Sequence, residues 1–180
     1  MNEHEFFREK FKDINYRMQV LGKHIQSQKW IEEYIKEYEY NNMLQGKLIM
    51  EFLKSMVNDY YIEIVDEEGI MNFYIVDKEY QSICNFYFAS NGSNRVTKNL
   101  INKYKIVLEI KSLHSYANRK GETIVNNIKK MSDQVNVPIC LFDTNTKNKK
   151  YYTNLGFINK GKIGSKGEKL MIYEPQINKY

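Results

Sequence analysis

Proline is nearly missing from this chain of 180 residues, which holds 2 Pro and 9 Gly. No Pro/Gly-rich linker therefore divides it, and the length is that of one globular domain. Cysteine is just as scarce. Cys84 and Cys140 each sit inside an apolar run, which excludes a disulfide framework and points to reduced, buried thiols in a cytoplasmic protein. Neither has a His nearby in sequence, so a cysteine nucleophile is not expected. The three His (His4, His24 and His114) and two Cys are scattered without ligand spacing, so no metal is expected. Long hydrophobic runs are missing too. Val137-Pro138-Ile139-Cys140-Leu141-Phe142 is among the longest and is far too short to cross a membrane, and no membrane association is expected. The opening Met1-Asn2-Glu3-His4-Glu5 is acidic and polar, the wrong start for a secretory signal. Gly-x-Ser-x-Gly and P-loop patterns do not occur. Arginine is rare among the basic residues: Arg8, Arg17, Arg95 and Arg119 are four of 27. Base reading favours the planar fork of Arg, so a dedicated DNA reader fits poorly.

What is present is a core and an uneven charge. Hydrophobic residues make up 42% and charged residues 27%, and 15 Tyr and 9 Phe supply large side chains, which excludes a disordered tail. Residues 98–180 carry 16 Lys and Arg against 6 Asp and Glu, a net of +10, whereas residues 1–97 carry 11 against 16, a net of −5. The basic part should hold or adjoin something anionic, and a phosphate-bearing cofactor suits it better than DNA. A Lys-rich composition without a ligand reads the same way.

Ile31, Tyr34, Ile35 and Tyr38, then Leu44, Leu48, Phe52 and Met56, recur at helical spacing. They predict helices over 28–39 and 42–58, after a looser helical segment over 6–25. From Tyr60 the texture alternates and becomes β-rich. Strands are expected at Tyr60–Val65, Met71–Val76 and Ser82–Phe88 as an antiparallel meander. A loop at Asn91-Gly92-Ser93-Asn94 and a short helix over Val96–Tyr104 follow. Next come strand Ile106–Leu113, helix Thr123–Met131, strand Val137–Phe142, helix Lys147–Asn154, and strands Phe157–Ile163 and Lys169–Tyr173 about the turn Gly164-Ser165-Lys166-Gly167. The fold class is α/β, a mixed central sheet flanked by helices. Residues 1–58 read as a helical N-terminal extension and 59–180 as the α/β domain.

An apolar strand running into Ser115-Tyr116-Ala117-Asn118-Arg119-Lys120-Gly121-Glu122-Thr123 and then a helix can seat a diphosphate. The first helical turn leaves N–H groups unpaired, the dipole adds positive potential, glycine permits close approach, and Arg119 and Lys120 add charge. An ordinary strand–helix turn fits the same residues. Further on stands Asn145-Thr146-Lys147-Asn148-Lys149-Lys150-Tyr151-Tyr152-Thr153-Asn154-Leu155-Gly156-Phe157. Together these segments resemble the GNAT superfamily of acetyl-CoA-dependent N-acetyltransferases over roughly residues 100–175. Tyr152 and Leu155-Gly156-Phe157 match the family's closing pattern, and Asn118–Thr123 aligns with its Gln/Arg-x-x-Gly-x-Gly/Ala pyrophosphate loop. Three positions depart from it: Asn118 stands for Gln or Arg, Thr123 for a small residue, and Glu122 puts a negative charge in the loop.

The resemblance implies acetyl-CoA as acyl donor and direct transfer to a primary amine. It places oxyanion-binding amides near Leu113 and His114, where a splayed strand opens the sheet, and gives the proton for the departing thiolate to Tyr152. Cofactor contacts fall on Leu113, His114, Asn118, Arg119, Lys120, Gly121, Glu122, Thr123, Asn145, Asn148 and Tyr152. Glu109, alternating with Lys111 and Leu113 on one strand face, is the first candidate for general base and His114 the second, although a purely structural role fits either. Asn145 and Asn148 read equally as helix capping and surface polarity. The family's first strand is not evident before the helices, so the acceptor stays unnamed. The acidic first half favours a cationic amine, and the exposed helix faces could equally serve dimerisation. The competing reading is a GNAT-shaped module without turnover that binds a protein or, through Lys interleaved with Tyr, single-stranded nucleic acid.

Overall fold

The computed structural model of the chain describes residues 9–10, 12–21, 44–144 and 150–176. In chain order the elements are α1 (Ile14–Leu21), α2 (Leu44–Met56), β1 (Tyr60–Glu67), β2 (Ile70–Asp77), β3 (Ser82–Ala89), α3 (Arg95–Tyr104), β4 (Val107–Ser115), α4 (Lys120–Val135), β5 (Ile139–Asp143), α5 (Tyr151–Asn154), β6 (Ile158–Lys162) and β7 (Lys169–Tyr173). The strands are hydrogen-bonded in the order β1-β2-β3-β4-β5-β7-β6. The fold is the expected mixed α/β sheet with helices. The helix expected over 28–39 lies outside the described residues, as do His4 and His24.

The chain divides into two compact units. One comprises Met1–Asn85 and Leu113–Ile124, the other Phe86–Ser112 and Val125–Tyr180. In the first, β1 and β2 pair antiparallel from Tyr60↔Asp77 to Glu67↔Ile70. Glu68 (φ 55°) and Gly69 (φ 80°) join them, a two-residue turn whose positive φ values match the twist of a hairpin. Asp77 then shapes the β2–β3 turn. Its carboxylate accepts from the amides of Glu79 (3.0 Å) and Gln81 (2.9 Å) and from the Ser82 hydroxyl (2.7 Å). Helix α2 buries Met50, Phe52, Leu53 and Met56, and Phe52 meets Phe73 of β2 edge-on at 6.0 Å between ring centroids.

In the second unit, Asn94 caps α3 by accepting from the amides of Val96 and Thr97, both at 3.0 Å, while Thr97 Oγ1 accepts from the Asn94 amide in return. Gly92 is required there, because a Cβ would stand 2.5 Å from the Lys98 nitrogen. Strands β4 and β5 run parallel, and β5 pairs antiparallel with β7 from Ile139↔Tyr173 to Asp143↔Lys169. Alternation puts Val107 and Cys140 on one face of these strands, where they pack with Leu170, Ile172 and Leu100 of α3.

Most boundaries differ from the sequence expectation by a residue or more, and three of them bear on the site. Strand β4 runs on to Ser115 rather than ending at Leu113, β5 spans Ile139–Asp143, and α4 starts at Lys120 rather than Thr123. The apolar period marks where α4 is buried, at Ile124 and Ile128, but the helix begins a turn earlier on hydrogen bonds alone.

Candidate functional site

The turn between β4 and α4 belongs to the first unit, and the chain itself takes up several of its amides. Arg119 has φ 62°, the left-handed region, and its carbonyl accepts from both the amide (3.0 Å) and the hydroxyl (3.1 Å) of Thr123. Ser115, the last residue of β4, accepts at Oγ from the Gly121 amide (3.1 Å) and donates to the Ala117 carbonyl (2.8 Å). Gly121 and Glu122 thus lie in the first turn of a helix, not in a loop ahead of it. Gly121 is buried, whereas Asn118, Arg119, Glu122 and Thr123 are exposed, His114 is exposed and Leu113 half-buried. The Lys120 ammonium is committed to acidic partners, at 2.6 Å from Glu79 and 4.0 Å from Asp77, and the hydrogen bond to Glu79 raises its pKa. The turn is anchored from behind. The Tyr116 amide donates to the Gln81 carbonyl (2.8 Å), and the buried Arg17 of α1 holds its guanidinium 5.7 Å from the Tyr116 ring centroid.

In the second unit, the parallel ladder between β4 and β5 has three pairs: Leu108↔Ile139, Glu109↔Cys140 and Ile110↔Leu141. Both strands continue past the last pair, β4 through Lys111 and Ser112 and β5 through Phe142 and Asp143, without pairing further. The strands are unzipped at their carboxyl ends. Glu109 stands one pair before that opening, half-buried between the buried Leu108 and Ile110. Tyr87 of β3 lies near enough to feel it: burial first, then the Glu109 charge, push this phenol's pKa up. Cys140 Sγ lies 4.0 Å from Glu109 Oε2, and burial pushes that thiol up as well. Cys84 and Cys140 are both free and buried, as expected.

Tyr152 is on the one-turn helix α5, half-buried, with its ring edge-on to Tyr151 (4.9 Å) and to Phe157 (5.7 Å). Its carbonyl accepts from the amides of Leu155 (3.1 Å) and Phe157 (3.0 Å), which folds Leu155-Gly156-Phe157 back beneath it; Gly156 has φ 86°. Lys129 of α4 pins this turn by donating to the Leu155 carbonyl at 2.6 Å, while its ammonium sits 4.7 Å from the Tyr173 ring centroid. Asn145 and Asn148 lie outside the described residues.

Sequence reasoning missed Ser115 and Lys129. Ser115 is masked by the early end assigned to the strand, and Lys129 finds its partner 26 positions away, at Leu155. Among the described residues no three His, Cys, Asp or Glu gather as metal ligands, and no helix is long and apolar enough to cross a membrane.

No family model matches the sequence, and no curated protein does. Among solved structures, the chain is similar to the histone acetyltransferase HPA2 and related acetyltransferase from Corynebacterium glutamicum, at 13% identity and a TM-score of 0.43, covering 74% of this chain and 77% of that one. It is also similar to the Bacillus subtilis N-acetyltransferase YlbP, solved with coenzyme A, at 14% identity and a TM-score of 0.42, covering 79% of this chain and 90% of that one.

Proposed function

We propose that the chain is an acetyl-CoA-dependent N-acetyltransferase of GNAT type that acts on a primary amine. The observation that carries the reading is the short parallel ladder. Two adjacent strands that part after Ile110↔Leu141 expose main-chain N–H and C=O groups which a continuous ladder would consume. Such groups can align a thioester carbonyl and its amide-bearing arm.

The residues fit the group. The Gly121 amide is held by a neutral hydroxyl, Ser115 Oγ, which can rotate away and leave an N–H for a phosphate oxygen, and Arg119 stands exposed beside it. Gly121 and Glu122 would supply amides for the diphosphate, whereas the Thr123 amide, expected there from the sequence, is taken by the Arg119 carbonyl. Acetyl-CoA, when bound, supplies an acyl carbon activated by its thioester. Glu109 takes the proton of the acceptor amine, so that the nitrogen attacks neutral. The amides near Leu113 and His114 stabilise the charge that develops on the acyl oxygen. Tyr152 returns a proton to the departing sulfur. His114 is the second candidate for the base, and Asn145 and Asn148 are proposed on the pantetheine arm.

A second reading keeps the fold without turnover, as a binding module for a protein or nucleic-acid partner. Its support is the ion pair of Lys120 with Glu79, which withdraws one of the two loop cations from any phosphate. Calorimetry with acetyl-CoA separates the readings. Micromolar binding that Gly121→Asp weakens at least tenfold is the expected result, since the new carboxylate faces the diphosphate. No heat at millimolar acetyl-CoA would leave the binding module.

A further inference from the structure

The segment from Asp59 to Asn85, which holds β1, β2 and the first half of β3, lies within the first unit and carries seven Asp and Glu against one Lys. That one, Lys78, sits in the β2–β3 turn with its ammonium 5.9 Å from the Tyr61 ring centroid. Two contacts sort the faces of these strands. Phe73 of β2 meets Phe52 of α2, and the Asp77 carboxylate, on the same side of β2, accepts from the Ser82 hydroxyl of β3 at 2.7 Å. Alternation then sets Phe73, Ile75 and Cys84, all buried, on the side of α2 and turns Asn72, Tyr74 and Asn85 to the opposite face. Register with β1 adds Glu63, opposite Tyr74, to that second face, and the Tyr74 hydroxyl donates to Glu67 at 3.0 Å. Counted from the turn between Asp77 and Ser82, Asn85 is level with Tyr74, and Asn72 is two residues, about 7 Å, further along.

Asn72 and Asn85 are the anomaly on this face. They are 0% and 7% exposed, yet the side-chain oxygen of each has no hydrogen-bond partner among the described residues. The Asn72 side-chain nitrogen is anchored on the Ile70 carbonyl at 3.0 Å, so the oxygen is the end left over. A buried carbonyl oxygen without a donor costs more than an apolar side chain of similar shape, and two of them on one face do nothing for the fold. With the carboxylates of Glu63 and Glu67 they make a set of acceptors gathered about one aromatic ring. That set matches an organic ammonium, which brings several N–H donors and a charge that the ring and the carboxylates both favour. A metal ion suits it less, because among the described residues no three His, Cys, Asp or Glu gather.

We propose that this face of β1–β3 binds an alkylammonium ligand, a linear diamine or polyamine: one ammonium donates to the side-chain oxygens of Asn72 and Asn85 beside Tyr74, and Glu63 and Glu67 balance its charge and that of the next nitrogen. The site stands on its own geometry. As the acceptor subsite of the enzyme it rests on the acetyl-transfer reading, and it names the class of amine.

Binding is read without acetyl-CoA, by calorimetry of the full chain with spermidine, and is located by the side-chain amide signals of Asn72 and Asn85 in nitrogen–proton correlation spectra. Spermidine should bind and move both signals, and magnesium chloride at equal ionic strength should move neither. No heat, or heat with both signals unmoved, overturns the site. Equal shifts with magnesium overturn the ammonium and leave a general cation surface. Asn85→Leu should weaken spermidine about tenfold while the midpoint of urea unfolding holds or rises, because an oxygen without a donor has gone. Unchanged affinity overturns the role of Asn85. Where the midpoint falls instead, Glu63→Gln decides, since it removes a charge and keeps the shape. It should weaken spermidine about fivefold, and an unchanged affinity overturns the site. Calorimetry with acetyl-CoA keeps the two readings apart. Spermidine bound without acetyl-CoA binding leaves a polyamine site and removes its part in acetyl transfer, whereas acetyl-CoA bound without spermidine binding removes the site and leaves acetyl transfer to another amine.

Discussion

The two halves of β4 solve opposite problems. Residues Val107 to Ile110 are buried but for Glu109, and the strand there is held by its ladder and by apolar packing. Residues Leu113 to Ser115 are half-buried or exposed, and the strand there ends on a hydroxyl that caps the next helix. A polar group in the outer half stabilises the fold, whereas the one in the inner half is a cost the fold carries. A half-buried carboxylate adds nothing to packing that a leucine would not add better, which supports the role proposed for Glu109, whereas Ser115 caps a helix.

The largest effect that sharpens this contrast is in the inner half. Leu108 is fully buried, so Leu108→Ala removes apolar contact and leaves a cavity, and a loss of about 2–5 kcal/mol is expected in urea unfolding. A loss under about 1 kcal/mol would mean that this part of the strand is not the packed element described here. Next in size is Tyr152→Phe. It leaves the ring contacts with Tyr151 and Phe157 in place and removes only the phenol, so kcat should fall about tenfold or more while acetyl-CoA affinity holds. An unchanged kcat removes Tyr152 as the acid.

Much of this was legible in the sequence, for a physical reason. Alternation and helical spacing record which face is buried, so β1 to β3, α3 and the β6–β7 hairpin fall where the pattern puts them. Where hydrogen bonds rather than burial set an end, the pattern is silent. The onset of α4 at Lys120 depends on Arg119 adopting φ 62° and on Ser115 reaching the Gly121 amide, and neither has a periodic signature. For the candidate site, residue types and order pointed to Gly121, Tyr152 and Glu109. The partner of Lys120 did not show, because the Lys120–Glu79 contact is set by turn geometry. Lys120 shows the limit best. Counted as loop charge, it is an ion-pair partner in the fold.

The outer half predicts smaller changes. Ser115→Ala leaves the Gly121 amide without its acceptor, and a loss of about 1 kcal/mol in thermal unfolding is expected, within the range for helix caps. Acetyl-CoA affinity should hold or rise, because a competing acceptor has gone. A fall in affinity would make Ser115 a ligand rather than a cap and would erase the contrast between the two halves of the strand.

The smallest effect belongs to Lys120 and Glu79. The pair is short but Glu79 is 65% exposed at the side chain, so its worth is that of a surface ion pair, up to about 1 kcal/mol, and Glu79→Gln should cost no more than that. The sign with pH follows from Lys120, whose pKa is raised above its ordinary 10.5, chiefly by the hydrogen bond to Glu79. A cation stabilised in the folded state contributes fully below 10.5, and the contribution is lost as pH climbs through the raised value. Wild type and Glu79→Gln should therefore differ at neutral pH and converge in strongly alkaline solution, and roughly 1 M salt should narrow the gap as well. A gap that widened with rising pH would show that Lys120 is not the group Glu79 holds. It would return that ammonium to the phosphate-binding turn, where the sequence alone had placed it.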